Sequence, residues 1–122
     1  MGNLAVLLLL FLHHSAAMYD LTKTFTYQGT VTEVIWENPH VIFVMKGAEA
    51  GIATAKPQEL AFEAPSPANL LRNSGFAQKT IKKGDKVTVR ANPAKNGKLP
   101  MYLVSITAAN GKEFTMRPPE QP

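Results

Sequence analysis

The sequence predicts an all-β domain with one short helix, closed into a small barrel. Three observations lead there. Short apolar or alternating segments recur between turn residues from Thr24 to Met116. One helix signal, Ser66-Pro67, falls between the third and fourth of these segments. Asn110-Gly111 marks a late hairpin between the last two. An order of three strands, a helix and then further strands fits a barrel of the oligonucleotide/oligosaccharide-binding (OB) type, in which a helix sits between strands three and four. Closure also removes the free edges that an open sheet has to protect. A β-sandwich is the alternative.

Each element has its own signal. Thr24 to Val31 alternates polar and bulky residues, as a half-buried strand does. The alternation slips near Glu33-Val34-Ile35-Trp36, so Gly29 or this slip marks a bulge or sharp bend. Asn38-Pro39 ends the strand. Val41 to Met45 is continuously apolar, which predicts a strand buried on both faces. Gly47 to Pro57 reads as a loose connection. Glu59 to Glu63 alternates again. Ser66 is a favoured N-cap, Pro67 suits the first helical position, and Gly75 suits a left-handed C-terminal cap. Lys82-Lys83-Gly84-Asp85 turns into the short strand Val87-Thr88-Val89. A polar loop from Asn92 to Pro100 precedes a strand over Met101 to Thr107, and Phe114 to Met116 completes the hairpin.

The chain begins with a leader. Leu4 to Leu12 is an unbroken apolar run, matching the core of a secretory signal and too short to span a bilayer. The expectation is a periplasmic or secreted protein, with residues 1–17 as signal peptide, 18–116 as one barrel domain and 117–122 as a disordered, Pro-rich tail. The cleavage position stays open between 12/13 and 17/18. Small residues at Ser15-Ala16-Ala17 favour the second, which discards His13 and His14. Of 122 residues, about 105 then remain, enough for one core. No transmembrane helix is expected in the mature chain.

There is no cysteine, so core packing alone must hold the domain together, and thiolate metal sites and Cys nucleophiles are excluded. The net charge is +4, but Lys and Arg are scattered, which reads as a solvated basic surface. Nucleic acid is not an expected partner, because Phe25, Tyr27 and Phe43 look core-facing rather than interleaved with basic residues. No nucleophile elbow, phosphate loop or HExxH motif occurs, so no catalytic residue is assigned and the chain reads as a non-enzyme.

The order of small motifs is specific: His13-His14-Ser15, Gly29-Thr30-Val31, Trp36, Asn38-Pro39-His40, then Glu63 with Ser66-Pro67, Leu70, Arg72 and Gly75, then Gly84-Asp85 with Val87-Thr88-Val89, and Pro93-Ala94-Lys95-Asn96-Gly97. In this the chain resembles DUF6152, a family of small exported bacterial proteins, over nearly its whole length. The resemblance implies an exported domain of unassigned biochemical role.

Candidate ligand-binding residues are Trp36, Glu37, His40, Glu63 and Arg72. Trp36-Glu37-Asn38-Pro39-His40 combines an aromatic platform, a carboxylate and an imidazole at one turn. The competing reading makes Trp36 a core plug and Asn38-Pro39 a turn former. Glu63 and Arg72 read either as a salt bridge joining helix to barrel or as an anion site. Candidate metal ligands are His13, His14 and His40, because imidazoles suit copper, zinc and nickel and a thiol-free domain has to use them. A chain beginning at His13 would add its amine; no cofactor is assigned, and copper is the candidate ion. The plainer reading is that the histidine pair flanks the leader and that His40 bonds a backbone carbonyl. The expected role is binding of an unidentified small ligand, metal or periplasmic protein, the alternative being an accessory subunit of an exported or membrane-associated complex.

Overall fold

The computed structural model describes residues 16–116; residues 1–15, with His13 and His14, and the tail at 117–122 lie outside the described residues. After a single 3-10 turn at Ala16–Met18, the chain runs through β1 (Phe25–Ile35), β2 (Ile42–Glu49), β3 (Gln58–Glu63), the helix α1 (Pro67–Ser74), β4 (Lys86–Asn92), β5 (Met101–Thr107) and β6 (Glu113–Thr115). The strands form one sheet in the order β3-β2-β1-β4-β5-β6. All neighbours in that order are antiparallel. A parallel pairing of β3 with β5 closes the first five strands into a barrel. The expected small all-β barrel, with its helix between the third and fourth strands, is therefore the fold. No helix among the described residues is long and apolar enough to cross a membrane.

β1 is long because it serves two neighbours. It pairs with β4 over Phe25–Thr30 and with β2 over Tyr27–Ile35. The register against β2 shifts between Val31 and Glu33, so Thr32 is the extra residue of a bulge. That is where the alternation slips in the sequence. Gly29 plays a separate part. It faces Gly47 across the pair, and a Cβ on Gly29 would lie 2.2 Å from the Lys46 carbonyl oxygen. Only two facing glycines allow the backbones to approach so closely. This also corrects one boundary: β2 continues through Glu49, where the sequence reads as a loose connection from Gly47. The small residues there maintain strand pairing rather than end it.

β2 is buried on both faces, as its apolar run requires. Val41 at its entry, Phe43 and Met45 join the main core with Leu60, Phe62, Val89, Leu103 and Ile106. Ile42 and Val44 form a second cluster with Ala61, covered by Ile35 and Leu99. The helix caps are those the sequence signals. Ser66 Oγ accepts from the Asn69 backbone N–H at 3.2 Å, Pro67 opens the first turn, and Gly75 takes φ +65°. Leu70 of α1 and the adjacent Phe76 are fully buried. Phe76 meets Phe43 and Phe114 edge-on at 5.5 and 5.1 Å and stacks on Trp36 at 6.2 Å. Each such pair adds to what area burial contributes.

The Gly29–Gly47 approach yields a stability prediction. Gly29→Ala places its Cβ against backbone that cannot turn aside, so urea unfolding should show a loss of about 1–3 kcal/mol, the usual cost of overpacking. An unchanged urea midpoint would contradict the close approach.

Candidate functional site

The strand period determines which residues meet at the barrel surface. Leu60 and Phe62 of β3 point into the core, so Ala61 and Glu63 lie on the outer face. At the closing seam, Glu63 is paired with Tyr102 of β5 on one side and with Ile42 of β2 on the other. An outward glutamate would ordinarily be solvated. Here Glu63 is only 4% exposed.

The chain ahead of β1 covers it. Tyr19 forms a β-bridge with Ala94 in the loop between β4 and β5. Two backbone hydrogen bonds flank that bridge: Lys95 N–H to Met18 C=O and Asp20 N–H to Pro93 C=O, both 2.9 Å. The Tyr19 ring is buried and stacks on Tyr102, with centroids 4.9 Å apart and planes 15° from parallel. Further along, the buried Asn92 side chain donates to Lys23 C=O at 2.7 Å and to Thr24 Oγ1 at 3.3 Å. The entering segment is thus clamped along the end of β4 and the loop beyond it.

His40 reaches the same seam from the loop between β1 and β2, just after the cis Asn38–Pro39 peptide. Val41 N–H bonds Pro65 C=O at 3.1 Å and Ala64 N–H bonds Val41 C=O at 2.8 Å, which ties this loop to the end of β3. The half-buried His40 ring has Nδ1 3.1 Å from the Ala64 carbonyl oxygen. A carbonyl can only accept, so Nδ1 carries the proton in that bond. The plainer expectation for His40, a bond to backbone, is met.

Burial pushes the Glu63 carboxyl above its usual range, while the charge of His40 and the Tyr19 hydroxyl act the other way. Burial first, and the Glu63 carboxylate second, push the Tyr19 phenol far above its usual range, so it stays a neutral O–H. The cluster therefore combines a buried acid, an oriented imidazole and two stacked phenol rings.

The other candidate residues lie elsewhere. Trp36 packs on Phe76 at the core, which is its structural reading. Glu37 is exposed, and so is Arg72 on the last turn of α1. The expected Glu63–Arg72 salt bridge is a correction. The ion pairs among the described residues are Lys23–Asp20 and Lys82–Asp85. The outer face of β3 turns Glu63 toward Tyr19 instead, and Arg72 stays in water, where it favours the helix dipole. His13 and His14 lie outside the described residues. Among the described residues no group of three or more His, Cys, Asp or Glu side chains is placed to hold a metal ion. Sequence reasoning missed Tyr19 and Tyr102. The legible signals were an isolated aromatic just past the N-terminal apolar run and an outward aromatic on β5.

A family model described as a family of unknown function, DUF6152, matches residues 5–101. No curated protein and no solved structure matches the chain.

The raised Glu63 pKa sets the sign of a pH effect. The folded chain holds this proton more tightly than the unfolded chain does. Its contribution is therefore most favourable below the ordinary carboxylate range and is lost as pH rises through the folded value. Glu63→Gln removes the titration. The stability of the variant relative to the parent should rise across that window and level off above it, in urea midpoints measured from about pH 4 to 8 in chelator-treated protein. A difference that stays flat with pH would contradict the buried acid.

Proposed function

The chain belongs to the DUF6152 family, and from that premise we propose that it is an exported, periplasmic or secreted, non-enzymatic domain that binds its ligand where His40, Glu63, Tyr19 and Tyr102 converge. The observation that carries this reading is the buried carboxyl of Glu63 at the mouth of the seam. Taking a carboxylate out of water costs several kcal/mol, of order, unless a partner compensates, and an apolar residue of similar volume would serve stability better. Glu63 sits there beside an imidazole whose Nδ1 is already committed to Ala64. Such a pair of polar groups, converging in otherwise apolar surroundings, is what a selective binding site requires.

The location agrees. OB-type barrels take ligands with the loops between strands one and two and between strands four and five. In this chain the first of those loops carries His40 and the second carries Ala94 and Leu99. That argument is an analogy of fold and adds to the local chemistry without replacing it. The apolar leader supports export. A role as accessory subunit calls for an apolar surface to dock on. The exposed large apolar residues among those described are Ile52 and Leu71, on separate parts of the chain, so the ligand reading is preferred.

The test is recovery of the protein from bacteria producing the chain with its leader, followed by denaturing and native mass spectrometry. The expected result is leader-free protein in the fraction outside the cytoplasm, carrying a bound mass that Glu63→Gln loses. Protein retained in the cytoplasm with its leader, or identical native spectra for parent and variant, would overturn the reading.

A further inference from the structure

We propose that the segment ahead of β1 is a pH-sensitive strap, latched across the barrel seam while Glu63 is protonated and released when Glu63 ionises. The strap controls access to the seam, a consequence that rests on the binding reading.

The barrel does not need the strap. Its six strands pair among themselves from Phe25 onward. Tyr19, although buried, belongs to neither cluster of core residues. What holds residues 18–20 is local: the Tyr19–Ala94 bridge, its two flanking backbone bonds and the stack of Tyr19 on Tyr102. A turn separates this latch from β1. The Asp20 carboxylate accepts from the Thr22 N–H at 3.1 Å and from the Thr22 hydroxyl at 2.6 Å, and the Asp20 C=O accepts from the Lys23 N–H at 3.3 Å. Asn92 grips the far side of that turn, at Lys23 C=O and Thr24 Oγ1. The latch can therefore open at the turn while β1 stays in the sheet. Local opening of this kind, across few apolar contacts, requires less free energy than unfolding of the domain.

The latch closes over a carboxyl. Tyr19 brings its neutral hydroxyl to Glu63 and keeps water from the seam. With the strap open, the Glu63 carboxyl is hydrated and titrates in the ordinary range. With the strap closed, burial pushes it upward. The closed state thus holds the proton more tightly than the open one. Closure is most favourable below the ordinary carboxylate range and weakens as pH rises through the closed-state value, by at most about tenfold per pH unit for one proton. The titratable groups that face Glu63 are Tyr19 from the strap, Tyr102 from β5 and His40 from the loop between β1 and β2. The charge of His40 favours the carboxylate and so brings release to lower pH. On the strap itself, Thr22 holds the Asp20 carboxyl below its usual range, so Asp20 stays charged throughout, faced by Lys23 and Lys95.

The experiment is amide hydrogen exchange, followed by NMR from about pH 4.5 to 8 on the protein as recovered, with each rate referred to that of an unstructured chain. The reporters are the Asp20 N–H, which donates to Pro93 C=O, and the Lys95 N–H, which donates to Met18 C=O. The Phe76 and Met116 amides, bonded to Leu70 and Val104, are the references. Protection at Asp20 and Lys95 should fall by up to about tenfold per pH unit through the Glu63 titration, while protection at the references holds. Glu63→Gln keeps the shape and cannot ionise, so its strap protection should stay flat with pH. Tyr19→Phe and His40→Gln each remove a group that favours the carboxylate, so each should move the fall to higher pH. Strap protection that is flat with pH in the parent would overturn the proposal. So would a fall that persists unchanged in Glu63→Gln, or one that the references share. If Glu63→Gln does not fold, Tyr19→Phe and His40→Gln decide, and a fall at the parent's pH in both overturns the proposal. The two readings fail separately. Native spectra without a bound mass remove the binding reading and leave the strap, whereas a pH-independent strap beside a Glu63-dependent mass does the reverse.

Discussion

The two-residue parallel pairing between β3 and β5 is the constraint on which the rest of this structure depends. Phe62 pairs with Met101 and Glu63 with Tyr102. The pairing is short because β6 takes the other half of the same β5 edge, over Ser105–Thr107. One residue of the seam, Phe62, faces inward and helps fill the core; the next, Glu63, has to face outward. Closing the barrel therefore places a carboxyl at a fixed point on the outer surface, beside a tyrosine and near the loop that carries His40. Loss of closure would leave β3 and β5 with free edges and would scatter the cluster at the same time.

Glu63 becomes buried because other segments then pack over the seam. Leu99 covers Ile42, Val44 and Ala61, and Tyr19 covers Tyr102. The outer face of β2 and β3 is thus a second, smaller core with an acid at its margin. A fold selected for stability alone would place an apolar side chain there. The arrangement keeps the acid, ties down one nitrogen of the adjacent imidazole and directs a neutral phenol at it.

Most of the fold was legible because the signals are local. The strand period, Ser66-Pro67 with Gly75, and Asn110-Gly111 act over a few residues, and each element formed where its signal lies. The end of β2 was not legible, since Gly47 and Ala48 resemble a linker until Gly29 is seen opposite. Half of the site was legible as well. His40 and Glu63 stand out as titratable groups beside turns, but no spacing rule says that they meet; the β2–β3 pairing does that. Arg72 drew attention by sequence proximity to Glu63, and the strand period sent the two apart. Tyr19 was not recognised because its partners, Ala94 and Tyr102, lie far along the chain and no periodicity marks a single bridge.

The central claim is that barrel closure and the entering segment together bury an acid that the fold does not need. Its most direct measurement is a carbon-13 NMR titration of the Glu63 side-chain carboxyl in metal-free protein. The account predicts a midpoint above the ordinary glutamate range, rising further in a Tyr19→Phe variant, which keeps the covering ring but loses the hydroxyl that favours the carboxylate. A Glu63 midpoint within the ordinary range in the parent protein, or one that falls in Tyr19→Phe, would contradict the account.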